Sequence, residues 1–166
     1  SRGGVVLLHD WWGLTDSFVR LSKYYAKSGY TTITPDLYNG SKPQYPLEAM
    51  RLLQNMDFAQ VIKNHITPTK DHLPNSTAVI GFSLGGGLAL LTASQDTSFQ
   101  AAISFYGLPR DKNTDLSSLT QAIQIHVCEN DEFFSKKRTA NFLDSFETYD
   151  AHFECHSYTA AHGFCN

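Results

Sequence analysis

The chain has 166 residues, of which 42% are hydrophobic, and 13 Lys and Arg stand against 16 Asp and Glu, which gives a formal net charge of −3 at pH 7. This length predicts a single domain over residues 1–166, and the apolar content argues against intrinsic disorder. A slightly acidic chain without a basic cluster also argues against nucleic acid as the main partner, because binding phosphates takes concentrated Lys and Arg.

The N-terminal residues carry no recognisable targeting signal. Residues 1–4 lead directly into the apolar run Val5–Leu8, without a cationic start or a small-residue cleavage site. The uncharged stretch Ala78–Ala93 is shorter than the ~20 residues that a membrane-spanning helix needs, so we expect no membrane partner. The odd count of three cysteines argues against a disulfide scaffold and for a reducing compartment, which predicts a cytoplasmic protein.

Short apolar runs alternate with helical patterns along the chain. The apolar runs predict strands at Val5–His9, Thr31–Thr34, Thr77–Phe82, Ala101–Phe105, Gln124–Cys128 and Phe153–Tyr158. Helical spacing predicts helices over Asp16–Lys27, Pro46–Ile66 with an interruption near Asp57, Leu84–Ser94 and Ser135–Phe146. This alternation predicts an α/β fold, with a mostly parallel sheet that is covered by helices on both faces but has poorly protected edges.

The sequence Gly81-Phe82-Ser83-Leu84-Gly85 joins a predicted strand to a predicted helix. In this context the Gly-x-Ser-x-Gly pattern forms a tight, strained turn that raises the serine hydroxyl above the sheet. Side chains larger than hydrogen at the two glycines would clash in such a turn. Ser83 is therefore a candidate nucleophile, although a glycine-rich turn with an idle or phosphate-binding serine gives the same pattern.

A serine nucleophile needs a base, and the chain offers seven histidines: His9, His65, His72, His126, His152, His156 and His162. His65 and His72 lie in polar stretches of the sequence, where solvent-exposed histidines without a catalytic role are expected. His126, His152 and His156 lie in or beside predicted strands, where packing in the core or at the sheet edge is expected. His162 follows the last strand on a short loop of small residues, at the end of the sheet where open α/β folds place their sites. We therefore favour His162 as the base.

The base in turn needs a carboxylate to orient it. Glu129, Asp131 and Glu132 cluster after the strand Gln124–Cys128. The order serine, aspartate, histidine along the chain favours Asp131, with Glu129 as the alternative. Two backbone amides must also stabilise the oxyanion, and we expect them from Leu84 and from Trp11, which follows the first strand.

Several motifs together resemble the dienelactone hydrolase family. They are His9-Asp10-Trp11-Trp12-Gly13-Leu14, Gly29-Tyr30, Pro35-Asp36-Leu37-Tyr38, Gly81-Phe82-Ser83-Leu84-Gly85-Gly86, Phe105-Tyr106-Gly107 and His162-Gly163-Phe164. The resemblance covers nearly the whole chain in order. It implies an α/β-hydrolase fold, cleavage of esters or lactones without a cofactor or metal, and a triad at Ser83, Asp131 and His162.

The chain also departs from the family pattern. The best-known members carry cysteine at the position of Ser83 and glutamate at the position of Asp10. The family usually begins with extra strands and ends with a helix beyond the histidine, so we expect a sheet that is truncated at both ends.

These observations predict a serine hydrolase for a small ester or lactone, and they leave a homo-oligomer open. We expect the substrate pocket to be formed by Asp10, Trp12, Tyr38, Phe82, Tyr106 and Phe134. The alternative is a non-catalytic α/β-hydrolase-like domain used for binding or assembly. A third hypothesis is a metal site drawn from His126, Cys128, Cys155, His156, His162 and Cys165, which the opposite directions of the adjacent Cys155 and His156 disfavour.

Overall fold

A computed structural model describes residues 1–111, 114–149 and 152–165. In the described part of the chain the strands are β1 (Gly4–Leu8), β2 (Thr31–Ile33), β3 (Thr77–Phe82), β4 (Ala101–Phe105), β5 (Ala122–Asn130) and β6 (Phe153–Ala161). The α-helices are α1 (Asp16–Lys27), α2 (Pro46–Asn55), α3 (Phe58–Val61), α4 (Leu84–Gln95) and α5 (Lys136–Phe146).

All strand pairs are parallel, and the strand order is β2-β1-β3-β4-β5-β6. From β1 the chain first adds β2 on one side and then adds β3 to β6 in succession on the other side. The connections that follow β1 and β3 therefore run in opposite directions across the sheet. In open α/β sheets such a reversal creates a crevice at the carboxyl ends of the strands, which is where ligands bind. The predicted α/β class with a parallel sheet is confirmed, and the sheet is entirely parallel.

The core lies on both faces of this sheet because successive strand residues point to opposite sides. Val6 and Leu8 of β1 pack with α4 and α5 in the larger cluster, whereas Val5 and Leu7 pack with Phe18 of α1 on the other face. The four β1 side chains are at most 3% exposed. The unbroken apolar run in this strand therefore reflects burial on both sides, as expected for a central parallel strand.

The predicted interruption near Asp57 is confirmed. Helix α2 ends at Asn55, and the Asp57 carboxylate then caps α3 by accepting the Gln60 amide at 3.1 Å. The chain continues as a π-helical turn over Ile62–Ile66 and a 3₁₀ turn over Thr67–His72, beyond the predicted end at Ile66. Pro68, which lacks an amide hydrogen, lies in the second of these turns.

Strands β5 and β6 both extend past their predicted ends, to Asn130 and Ala161 instead of Cys128 and Tyr158. Their backbones pair as far as Asn130 and Ala161, with a register irregularity between Cys128 and Asn130. The added residues are polar in β5 (Glu129 and Asn130) and small in β6 (Thr159 to Ala161), so a search for runs of large apolar side chains did not include them. Such irregularities are common beside active sites because they redirect side chains.

The two edge strands are β2, with three residues, and β6, most of whose side chains are exposed. In the described part of the chain, every helix is either too short or too polar to span a bilayer.

Candidate active site

Ser83 stands at the junction of β3 and α4 with a strained backbone, at φ 53° and ψ −114°. A Cβ atom at Gly81 would overlap the backbone of Gly85, and one at Gly85 would overlap the carbonyl oxygens of Leu8 and His9. Only glycine fits at either position, which explains the Gly-x-Ser-x-Gly pattern physically. The Ser83 amide donates to the Phe105 carbonyl at 2.9 Å, which holds the turn against β4.

His162 directly follows the last residue of β6 and reaches Ser83. Its Nε2 atom lies 2.7 Å from the Ser83 Oγ, although 79 positions separate the two residues. The imidazole ring packs against Phe133, with ring centroids 4.6 Å apart, and against Tyr106 at 5.1 Å. These aromatic neighbours leave the His162 side chain only 11% exposed.

Asp131 lies just beyond the irregularity at the end of β5. Its Oδ2 atom lies 2.8 Å from the His162 Nδ1, and its Oδ1 accepts the Phe133 and Phe134 amides at 2.8 and 3.0 Å. Burial alone would raise the pKa of the Asp131 carboxyl, but the donors from Cys128, His162 and Phe133 together hold that pKa below its ordinary value. The carboxylate is therefore ionised and faces the imidazole.

The alternative acid, Glu129, has a different contact. Its carboxylate accepts the hydroxyl of Thr159 at 3.1 Å, on the exposed side of the β5–β6 pair. The structure thus brings Ser83, His162 and Asp131 together in series, in the arrangement that acyl-transfer hydrolases use.

Cys128 adds a contact that the sequence did not suggest. Its Sγ donates to Oδ2 of Asp131 at 3.0 Å, the same oxygen that faces His162. Burial, followed by the hydrogen bond and charge of Asp131, raises the pKa of the Cys128 thiol to about 12. The thiol is therefore protonated at neutral pH, and it acts as a hydrogen-bond donor.

The described residues contain one group with metal-ligating geometry, formed by Cys128, Asp131 and His162, whose ligand atoms lie within 4.8 Å of one another. Zinc binding would require the thiolate, which the raised pKa of Cys128 opposes. The other members of the hypothetical metal site, His126, Cys155, His156 and Cys165, do not belong to this group. The His126 ring contacts Tyr158 and Gln124, and the His156 ring lies 3.7 Å from the Glu154 carboxylate.

Two backbone amides at the site are available as donors. Leu84 is the first residue of α4, where helical amides have no partner within the helix. No hydrogen bond among the described residues uses the Trp11 amide, whereas the next amide, that of Trp12, donates to the Asp10 carboxylate at 2.8 Å. The two amides expected to stabilise an oxyanion are thus both uncommitted in this part of the chain.

A cavity of about 400 Å³ opens beside the Ser83 hydroxyl. Its lining is mainly apolar and aromatic, with two arginines and no acidic residue among the described positions, and consists of Trp11, Met50, Leu53, Gln54, Phe58, Ser83, Leu84, Leu108, Arg110, Phe133, Phe134, Arg138 and His162. A larger neighbouring cavity of about 710 Å³ shares Leu108 and Arg138 but contains none of the Ser83, His162 and Asp131 side chains.

Of the residues expected to form the pocket wall, Phe134 lines this cavity and the other five lie elsewhere. Phe82 is buried on the α1 side of the sheet, stacked on Phe105 at 4.9 Å. Tyr106 is 2% exposed and packs edge-on against Phe164. Strand alternation places the Phe82 ring on the face of the sheet that α1 covers, and Tyr106 belongs to the same buried cluster.

The remaining three residues belong to the loops beside β1. The Tyr38 ring is 6% exposed and contacts the His9 ring at 5.1 Å. Trp12 packs edge-on against Trp11, and Asp10 is buried with its carboxylate on the Trp12 amide. These side chains pack against the loop that contains Trp11, on the side of the loop that faces away from the cavity.

Sequence reasoning missed the part of the wall that α2 and the loops after β4 and β5 supply. Met50 and Phe133 are large apolar side chains that are 43% and 49% exposed, a property that only the folded structure reveals. Two guanidinium groups complete this wall. Arg110 donates to the Leu53 carbonyl at 3.1 Å, and Arg138 donates to the Pro109 carbonyl at 2.8 Å.

Comparison with known proteins identifies the family. The family model described as "Dienelactone hydrolase family" matches residues 1–166. The chain is 27% identical over 143 residues to the protein usf of Aquifex pyrophilus, covering 78% of this chain and 62% of that protein. It is 22% identical over 180 residues to a carboxymethylenebutenolidase of Pseudomonas sp. strain P51, covering 99% of this chain and 75% of that protein.

Among solved structures, the chain resembles a dienelactone hydrolase-like promiscuous phosphotriesterase from metagenomic libraries. The TM-score is 0.86 at 18% identity, and the match covers 99% of this chain and 73% of that one. This likeness establishes the α/β-hydrolase fold. Because the family model matches from residue 1 to residue 166, the chain belongs to the dienelactone hydrolase family.

Proposed function

We propose that the protein is a serine hydrolase that cleaves a small ester or lactone through an acyl-enzyme intermediate. The observation that carries the proposal is the series from Ser83 Oγ to His162 Nε2 at 2.7 Å and from His162 Nδ1 to Asp131 Oδ2 at 2.8 Å. Membership of the dienelactone hydrolase family supports hydrolysis of this substrate class.

The first chemical step is attack of Ser83 on the acyl carbon. Asp131 accepts a hydrogen bond from the Nδ1–H of His162. This leaves Nε2 unprotonated, so that it can take up the Ser83 proton. The proton moves to Nε2 as the new C–O bond forms, and the resulting imidazolium is stabilised by the Asp131 carboxylate. The imidazolium then donates the proton to the leaving oxygen as the ester bond breaks.

The developing oxyanion is stabilised by the amides of Leu84 and Trp11. Both residues line the cavity together with Ser83 and His162. Backbone donors that are already fixed in place need no reorganisation in the transition state, and losing one typically costs about 10²–10³-fold in kcat. In the second half of the reaction, His162 activates a water molecule that releases the acid from Ser83.

The cavity supports a small substrate with a flat or apolar body and a negatively charged group. A volume of about 400 Å³ lies at the small end of the range for ligand sites. Phe133 and Phe134 supply aromatic surface, while Arg110 and Arg138 supply positive charge without an acidic neighbour among the described lining residues. The relative from Pseudomonas is named for a butenolide, an unsaturated lactone, that bears a carboxymethylene group.

The proposal is tested by hydrolysis of p-nitrophenyl esters and by fluorophosphonate labelling followed by mass spectrometry. We expect labelling at Ser83 and a loss of kcat of about 10⁴–10⁶-fold in Ser83→Ala. The matched control is Ser94→Ala on the same helix, whose hydroxyl donates to the Leu91 carbonyl and contacts no member of the triad. A folded wild-type protein with no turnover and no label would instead support the non-catalytic domain.

We also propose that the enzyme acts in the cytoplasm. The three cysteines, Cys128, Cys155 and Cys165, are all free thiols, which supports a reducing compartment.

A further inference from the structure

We propose that His9 is a positioning residue that holds the peptide between Asp10 and Trp11 so that the Trp11 amide faces the reacting carbonyl. This inference rests on the proposed function, since it concerns the second oxyanion donor of that reaction. The starting observation is that His9 is 0% exposed and yet uses both ring nitrogens in hydrogen bonds to two different loops.

The tautomer of His9 follows from its partners. The Leu37 amide can only donate, and it lies 3.0 Å from Nε2, so Nε2 carries no hydrogen. The hydrogen is therefore on Nδ1, which donates to the Asp10 carbonyl at 2.7 Å. Burial lowers the pKa of His9, against smaller opposing effects of the Asp10 carbonyl and the Asp36 carboxylate, so the ring stays neutral.

The carbonyl that His9 holds belongs to the same peptide unit as the Trp11 amide. In a trans peptide the C=O and N–H bonds point in opposite directions, so fixing one fixes the other. The Gly13 amide donates to the same carbonyl at 3.2 Å, which adds a second restraint. With the carbonyl directed toward the buried His9, the Trp11 N–H is directed away from the core.

The Trp11 amide then faces the cavity. Trp11 lines this cavity together with Ser83 and Leu84, and no described hydrogen bond occupies its amide. The carbonyl of His9 itself lies against Gly85, where a Cβ atom would overlap it, so the loop starts beside the serine turn. The two donors therefore approach the reacting carbon from β1 and from α4.

The His9 ring is itself held in place. Besides the Leu37 amide it contacts the rings of Tyr38 at 5.1 Å and Phe18 at 6.2 Å, both edge-on. Asp36 lies 3.8 Å from Nε2 and also accepts the Tyr38 amide at 3.0 Å, which orders the second loop. This packing explains how a residue that contacts no substrate acts on the reaction.

The test compares His9→Asn with His9→Leu by kcat and KM on p-nitrophenyl esters. The two replacements have nearly the same shape, but only asparagine restores a donor near the Nδ1 position. We expect His9→Leu to lower kcat by about 10²–10³-fold with KM within about threefold, as for loss of one oxyanion donor. His9→Asn should retain at least about tenfold more kcat than His9→Leu.

Leu7→Ala is the control, because Leu7 is equally buried on β1 but packs on the α1 side of the sheet. It should lower the melting temperature while leaving kcat near the wild-type value. If His9→Leu and His9→Asn lose equal amounts of kcat, or none, the positioning role is wrong.

A second measurement keeps the inference testable if the variants fail to fold. The ¹⁵N shifts of the wild-type His9 ring at pH 7 should give a protonated Nδ1 and an unprotonated Nε2. A protonated Nε2 would overturn the inference even if the enzyme is active. Failure of the proposed function is distinct, because the wild-type protein would then show no turnover and no labelling at Ser83.

Discussion

Cys128 and Asp131 form a thiol–carboxylate hydrogen bond in which Sγ lies 3.0 Å from Oδ2. The same oxygen faces His162, so one carboxylate oxygen receives two donors, while the other receives the amides of Phe133 and Phe134. The thiol is three residues before the carboxylate, across the irregularity in β5. It competes with the imidazole for the negative charge of Asp131.

Removing this donor should shift the pH dependence of the enzyme. The Cys128 hydrogen bond is one of the contacts that hold the pKa of Asp131 down, so in Cys128→Ala that pKa rises. The Asp131 carboxylate is then protonated at a higher pH, and the acidic limb of kcat/KM moves to higher pH. Cys128→Ser keeps a donor of similar size and should leave the limb at or below its wild-type position. Superimposable profiles for all three proteins would contradict the role of the thiol.

The choice of Asp131 over Glu129 as the orienting acid is tested by neutral replacements. Asp131→Asn should lower kcat by about 10⁴-fold, because the amide stabilises the wrong tautomer of His162 and does not stabilise its imidazolium. Glu129→Gln should change kcat little, since Glu129 contacts Thr159. Steady-state kinetics on one p-nitrophenyl ester measure both. The reverse result would assign the role to Glu129.

The two arginines of the cavity predict a preference for anionic substrates. Arg110→Met should lower kcat/KM for p-nitrophenyl hydrogen succinate about five- to tenfold relative to p-nitrophenyl butyrate, as expected for loss of a nearby partly solvated charge. The ratio of the two substrates cancels any general effect of losing the Arg110 bond to the Leu53 carbonyl. Arg20→Met on α1 is the control, because Arg20 contacts Ser17. An unchanged ratio in Arg110→Met would exclude this residue from charge recognition.

The glycines of the serine turn are required because a Cβ atom has no space there; neither Gly81 nor Gly85 has the positive φ that favours glycine. A Cβ atom at Gly85 would overlap the carbonyls of Leu8 and His9, so Gly85→Ala should lower the free energy of unfolding by about 3 kcal/mol. Gly40 has a φ of 88° with open space around it, and Gly40→Ala should cost only about 1–2 kcal/mol of backbone strain. Urea denaturation measures both. Equal losses would show that contact with β1 does not limit position 85.

The local elements were predictable because each depends on neighbours in sequence. The run Val5–Leu8 is apolar because both faces of β1 are covered, and helix α1 lies over Asp16–Lys27 as its spacing indicates. The carboxyl-terminal limits of β5 and β6 were not predictable. β5 ends in the polar pair Glu129-Asn130 and β6 in the small residues Thr159-Ala160-Ala161, and these residues belong to the strands because the two backbones pair.

The residues of the cavity wall also include some that the sequence predicted and some that it did not. Phe134 follows Asp131 closely and was expected at the site, whereas Phe82 lies next to Ser83 in sequence and points to the opposite face of the sheet. Met50 and Arg110 reach the cavity from elements distant in sequence. An aromatic residue in a motif therefore indicates proximity along the chain but not which surface its ring joins.

The sequence by itself determined the succession of strands and helices along the chain and the strained turn at Ser83, because apolar periodicity and glycine placement act over a few residues. It also pointed to His162 and Asp131 as partners, through their positions after predicted strands. Only the tertiary structure decided that Cys128 donates to Asp131, that His9 holds the Asp10 carbonyl, and which side chains line the cavity. These contacts depend on strand register, on the irregularity in β5 and on the packing of α2, which arise when segments far apart in sequence meet.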